Sequence, residues 1–193
     1  MDSPIKIFSQ WFEEAKNSPA IFDATAMTLA TADKHGLPSV RAVLLKGFDE
    51  RGFVFYTNME SRKSLELKEN PHAALCFLWQ AIGRQVRIEG SVTQVSDKEA
   101  DKYFNSRPLI SRLGAMISKQ SRPLDSHEAL VQKVKEAEKT YSNTNPPQRP
   151  ANWSGWRVAP SVIEFWQQGD FRLHDRDLYM RVGDSWKITK LYP

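Results

Sequence analysis

The chain has 193 residues, 40% hydrophobic and 26% charged, the composition of an ordinary globular domain able to bury a core without disulfide or metal staples. Its formal charge of +4 includes no run of five or six like charges, and no nucleic-acid motif occurs, so no nucleic-acid partner is expected. One cysteine (Cys76), four histidines without ligand spacing, and the lack of a signal-peptide core or membrane-length apolar run predict a soluble cytoplasmic protein with no disulfide, metal or membrane partner.

In chain order, Ile5, Phe8, Phe12 and Ala15 recur at helical spacing and predict an amphipathic helix in an N-terminal region, residues 1–22. Residues 26–32 read as a strand. The Lys34-His35-Gly36 turn leads into a strand over 39–46, and residues 48–52 connect it to a return strand over 53–58. A short charged helix over 61–69 stops at Asn70-Pro71, because proline cannot continue it. Strands over 72–79 and 84–95 follow, the second with clear alternation. Ser96 and Glu99 make a capping box before a helix through Tyr103 and Phe104, and residues 125–128 offer a second before a helical stretch over 129–141. The proline-rich segment 144–152 reads as a surface crossing rather than a domain boundary, since only about 40 residues follow it. Those residues read as strands over 157–167, 171–182 and 185–191. The sum is a single domain over 1–193, α+β and mainly antiparallel β, its sheet curled into a small barrel with inserted and flanking helices.

No G-x-G-x-x-G, Walker A, G-x-S-x-G or H-E-x-x-H pattern occurs, so any bound phosphate has to be held mainly by side-chain cations. In FWQQGDFRLHDR (165–176), an extended backbone would align Arg172, His174 and Arg176 on one face at roughly 6–7 Å spacing, just beyond Trp166. That face suits an anionic aromatic ligand; taken alone it reads better as a solvated strand face. A second cluster, Arg41, Lys46, Arg62 and Lys63, favours the ligand. Arg62 and Lys63 follow Ser61 at a helix start, where cations oppose the dipole unless an anion is present. Strict alternation sets Arg41 and Lys46 on opposite faces, so they share a site only if the strand ends near Lys46 or the site lies between subunits. Gln85 and Arg87 share one strand face, where Gln85 could meet a flavin or pyrimidine edge. Tyr103, Arg107 and Ser111 recur every four residues and could cradle a second phosphate, although taken alone they read better as surface residues, with Pro108 interrupting helical regularity.

The stretches RAVLLKGFDERGFVFYTNMESRK, RQVRIEG, YFNSRP, SKQSRPL, IEFWQQGDFRLHDR and WKITKLYP, in this order, closely resemble the pyridoxine (pyridoxamine) 5′-phosphate oxidase family from about Asp23 to the C-terminus. The resemblance implies an FMN-binding split β-barrel homodimer with FMN at the subunit interface. It implies FMN contacts from Arg41, Lys46, Tyr56, Thr57, Arg62, Lys63, Gln85, Gln120, Ser121, Trp166 and Arg176. Around the substrate it implies Lys46, Tyr103, Arg107 and Ser111 at the phosphate, and Arg172 and His174 at the pyridine as the catalytic pair. The implied reaction oxidises pyridoxamine 5′-phosphate or pyridoxine 5′-phosphate by hydride transfer to FMN, with molecular oxygen as final acceptor.

The chain departs from the family pattern in three places. No arginine- and tyrosine-bearing segment precedes Pro4, Phe171 stands before Arg172 where a polar residue is frequent, and Leu109-Ile110 follow Arg107-Pro108 where Arg-Asp is frequent. The competing readings are a split-barrel flavoprotein with another substrate and a non-enzymatic flavin- or pyridoxal phosphate-binding module.

Overall fold

The computed structural model describes residues 3–193. Helix α1 (Pro4–Asn17) opens on Ser3, whose hydroxyl accepts the Ile5 N–H, with Pro4 in the first turn where its missing N–H costs nothing. Its buried stripe is Ile5, Phe8, Phe12 and Ala15, as the spacing predicts. Phe8 is fully buried, its ring 4.8 Å from Phe53, 4.9 Å from Phe48 and 5.1 Å from Phe77. The helix thereby closes one face of the sheet.

The strands are β1 (Ala26–Ala32), β2 (Pro38–Leu44), β3 (Gly47–Asp49), β4 (Gly52–Asn58), β5 (His72–Trp79), β6 (Arg84–Gln94), β7 (Trp153–Gln167), β8 (Asp175–Val182) and β9 (Ser185–Lys190). They form one antiparallel sheet in the order β2-β1-β5-β6-β7-β4-β3, with β8 added to β7 and β9 to β8. The remaining helices are α2 (Arg62–Glu69), α3 (Asp97–Ser106), α4 (Leu109–Ile117) and α5 (His127–Thr140). The Ser96–Glu99 capping box is present. None of the helices among the described residues is long and apolar enough to cross a membrane.

Four expectations need correction. The strand over 39–46 runs from Pro38 to Leu44 and stops before Lys46. A separate helix, α4, follows Pro108, because proline ends α3 and then serves as the cap of the next helix. The cap of α5 is Ser126, which accepts the Ala129 N–H, so residues 125–128 form no reciprocal box. The strand over 171–182 begins only at Asp175. Asp170–Arg172 is a 3₁₀ turn in which Phe171 (φ 53°) and Arg172 (φ 64°) are left-handed, so Arg172 and His174 belong to a loop rather than a strand face.

Strand β7 is the spine, bonded to β4, β6 and β8. Its register against β6 slips between Glu89 and Gly90, Gly90 facing Pro160 and Glu89 facing Val162. Ser161 is thus an extra, unpaired residue, and side-chain parity reverses there. Trp156 and Val158 point into the core before it, Ile163 and Phe165 after it, which turns Glu164 and Trp166 to the opposite face. A Cβ on Gly90 would lie 1.9 Å from the Ala159 carbonyl oxygen, so the bulge requires glycine opposite it. Gly90→Ala is expected to cost about 2–3 kcal/mol, lowering Tm by roughly 5–10 °C in thermal unfolding. An unchanged Tm would show that the strands spread there freely.

Candidate functional site

A cleft of about 670 Å³ is lined by the end of β4, β2 with the residues after it, the start of α2, the end of α3 and the segment after α4. Ten of the predicted site residues line it: Arg41, Lys46, Tyr56, Thr57, Arg62, Lys63, Tyr103, Arg107, Gln120 and Ser121. The parity conflict between Arg41 and Lys46 disappears because β2 has ended. Leu45 turns into the core, the Lys46 N–H bonds the Val54 carbonyl at 2.8 Å, and the Lys46 side chain reaches the same cleft as Arg41.

Helix α2 begins in this cleft. Its cap residue, Ser61, makes no side-chain capping bond, so the first-turn N–H groups and the positive helix end remain available to an anion. Lys63 sits in that turn and is buried. Its Nζ donates to Thr57 Oγ1 at 3.1 Å, Ser61 Oγ at 3.3 Å and Gln120 Oε1 at 3.3 Å, all neutral acceptors. Burial, reinforced by the nearby Arg41 charge, lowers its pKa to about 8.

The neighbouring arginines are held differently. Glu66, one turn further along α2, accepts from Arg62 Nε at 2.8 Å and Arg41 Nη2 at 3.2 Å, and also from Thr31 and Ser39. Burial alone would raise the Glu66 pKa, but these donors outweigh it and bring it to about 2. One carboxylate therefore serves two guanidinium groups. Among the described residues, Lys46, Lys63 and Arg107 form no salt bridge with a carboxylate.

Arg107 marks the other end of the cleft. Its guanidinium lies 4.9 Å from the Trp153 ring centroid, and its buried Nη1 has no hydrogen-bond partner. Burial lowers its pKa. Tyr56 stacks on Tyr103 at 4.1 Å and on Trp153 at 5.4 Å, giving the cleft an aromatic wall. Trp153 was absent from the sequence-based site. The only available signal was a tryptophan directly after the proline-rich crossing.

The other predicted residues lie elsewhere. Ser111 is in the first turn of α4 and does not line the cleft. Gln85, Trp166 and Arg176 form a row across β6, β7 and β8, and none of them lines the cleft within one chain. His174 packs on Trp166 with ring centroids 4.6 Å apart, its Nδ1 accepting the Gly169 N–H at 3.3 Å. That bond places the ring proton on Nε2 in the neutral imidazole. Arg172 is exposed. The strand geometry first proposed for Arg172, His174 and Arg176 is thus replaced by a loop that brings His174 to Trp166 and a strand that carries Arg176.

Two pH effects follow. Because the Glu66 pKa is depressed, its contribution to stability is full above the ordinary 4.5 and disappears as pH falls toward about 2. Denaturant unfolding between those pH values should show a slope that Glu66→Gln flattens; an identical profile in the variant would remove Glu66 from the network. A phosphate ester held by the Lys63 ammonium should bind more weakly as pH rises through about 8, by up to roughly tenfold per pH unit. Lys63→Gln should bind FMN more weakly at neutral pH and lose that slope; a wild-type slope in the variant would exclude Lys63.

Residues 14–141 match the family profile described as pyridoxamine 5′-phosphate oxidase, and residues 153–193 match that of the pyridoxine 5′-phosphate oxidase C-terminal dimerisation region. The pyridoxine/pyridoxamine 5′-phosphate oxidase of Gluconobacter oxydans is 53% identical over 98% of this chain and 94% of its own length. That of Trichormus variabilis is 52% identical over 99% of this chain and 89% of its own. The crystal structure of PhzG from Burkholderia lata, in complex with tetrahydrophenazine-1-carboxylic acid, superposes with a TM-score of 0.93 at 32% identity, covering 100% of this chain and 94% of that one. The fold is the expected α+β split barrel, and the chain belongs to the pyridoxamine 5′-phosphate oxidase family.

Proposed function

We propose that this chain is a cytoplasmic FMN-dependent oxidase that converts pyridoxamine 5′-phosphate and pyridoxine 5′-phosphate to pyridoxal 5′-phosphate, as a homodimer whose sites lie between the subunits. The observation that carries this reading is a cleft with two separate cationic ends and too few carboxylates to neutralise them. At one end is the buried Lys63 ammonium with neutral partners only; at the other is Arg107 with an unpartnered buried Nη1. Two phosphoesters, those of FMN and of the substrate, satisfy both. The full-length relatives named as pyridoxine/pyridoxamine 5′-phosphate oxidases support the same substrates.

On this reading Arg41, Arg62 and Lys63, with Thr57, Gln120 and Ser121, hold the FMN phosphate end, and Lys46, Tyr103 and Arg107 hold the substrate phosphate. Gln85, Trp166 and Arg176 serve the flavin from the other cluster, where Arg172 and His174 orient the pyridine. Both clusters cannot belong to one site of one chain. Trp153 lines the cleft and Trp166 the second cluster, at opposite ends of β7, a path on the order of 40 Å along the strand. A second copy, docked through the C-terminal region that matches the family's dimerisation profile, brings its Trp166 end to the first copy's cleft.

FMN held by these residues would supply the two-electron redox chemistry for oxidation at the substrate 4′ carbon, with molecular oxygen as final acceptor and hydrogen peroxide as its product. The protein's own work is positioning. The phosphate cradle fixes one end of the substrate, while Arg172 and the Nε2–H of His174 fix the ring. Water hydrolyses the imine formed from the amine substrate to the aldehyde and ammonia.

The purified chain should be yellow and release peroxide on addition of pyridoxamine 5′-phosphate. Arg172→Ala should lower turnover by at least about tenfold while FMN content stays near normal. Yellow protein without peroxide would favour a different substrate, such as a tricyclic carboxylate of the kind bound by the PhzG relative, or a binding module. Unchanged turnover in Arg172→Ala would remove that residue from the reacting site.

A further inference from the structure

Glu164 is a buried carboxylate in the middle of the sheet face that carries Gln85, Trp166 and Arg176. Its side chain is 5% exposed, and its two oxygens are divided between the neighbouring strands. Oε1 accepts from Arg176 Nε on β8 at 2.8 Å, and Oε2 accepts from Arg87 Nη1 on β6 at 3.1 Å. Arg176 faces Trp166 in register, so it reaches Glu164 along the diagonal to the residue two back on the same face. That diagonal exists only because the Ser161 bulge has turned Glu164 and Trp166 to this side.

Arg176 has a second anchor. Its Nη1 donates to the Tyr192 carbonyl at 2.8 Å, close to the C-terminus, where the Leu191 N–H also bonds the Arg176 carbonyl at 2.9 Å. With Nε and Nη1 both engaged, the guanidinium plane is fixed, and Nη2 is the one nitrogen without a protein acceptor among the described residues. A free arginine side chain loses rotamer entropy when it binds a ligand, whereas one clamped at two of its nitrogens has already lost most of it. A buried carboxylate flanked by two cations is also unlike a packing residue, because an apolar group of the same volume would fill the space without the desolvation cost.

We infer that Glu164 is a positioning residue for the cofactor site, holding the Arg176 guanidinium so that Nη2 alone is presented to FMN. The inference rests on the proposed flavin site, and the test separates the two. FMN is titrated into the apoprotein of wild type, Glu164→Gln, Arg176→Gln and the double variant, and Kd is read from flavin fluorescence. Wild-type protein that binds no FMN would defeat the flavin reading itself. Given wild-type binding, Glu164→Gln should weaken FMN by about tenfold, the size of one lost charge-assisted hydrogen bond. The same change in the Arg176→Gln background should add little. Independent effects, with the two losses multiplying, would reduce Glu164 to a structural group, as would wild-type affinity in Glu164→Gln. If Glu164→Gln does not fold, Glu164→Asp decides in its place, since it keeps the buried charge but withdraws the carboxylate by one methylene. It should fold and bind FMN less tightly; wild-type affinity in Glu164→Asp would overturn the inference.

Discussion

The constraint on which the rest depends is an excess of positive charge held partly out of water at the start of α2. Taking an ammonium from water into a protein interior is unfavourable unless something anionic compensates it. Lys63 is given hydroxyl and amide oxygens but no carboxylate, and the effect appears in its lowered pKa. Glu66 could have relieved this, yet it is already shared between Arg41 and Arg62. The fold therefore keeps its arginines rigid with one carboxylate and leaves the lysine and the helix N-terminus for a ligand.

On the proposed reading, strand β7 turns that local demand into a requirement on assembly. It begins at Trp153, under Arg107 and against the tyrosine wall, and ends at Trp166 and Gln167, beside the loop that carries His174. A strand is stiff along its length, so the two ends cannot fold back onto each other. On the proposed reading, each chain carries both halves of a site without joining its own, and two copies related by a two-fold axis would exchange them. The same strand carries the bulge at Ser161, without which Trp166 and Glu164 would face the core. Gly90 thus sets, through the parity of β7, the face on which Glu164 and Trp166 lie.

Much of this was legible in the residues. The upstream cations, the helix start at Ser61 and the Tyr103–Arg107 pair all converge on one cleft. Local signals suffice there, because caps, charges and strand periods act over a few residues. Long-range consequences were not legible. The end of β2 at Leu44 depends on Leu45 finding the core, which no alternation pattern encodes. The bulge in β7 depends on pairing with β6, some 70 residues earlier in the chain. The RLHDR run was misread as extended because alternating charges imitate a strand face. Phe171 and Arg172 instead adopt left-handed conformations that their side chains disfavour, so tertiary context has overridden local preference.

That override is itself informative. Two successive non-glycine residues with positive φ cost on the order of 1 kcal/mol or more each, and such strain persists only where the surroundings over-determine it. Here the restraints can be named. A Cβ on Gly169 would lie 2.1 Å from the Leu173 carbonyl oxygen, so the loop folds tightly back on its own start. The Gly169 N–H is tied to His174, and His174 in turn packs on Trp166. The loop is closed at both ends while Phe171 and Arg172 project into solvent at its tip. An extended strand would have been cheaper for the backbone and would have kept His174 in line with Arg176. The turn instead sets His174 against the indole and leaves Arg172 exposed at the tip of the loop, away from the line of the strand.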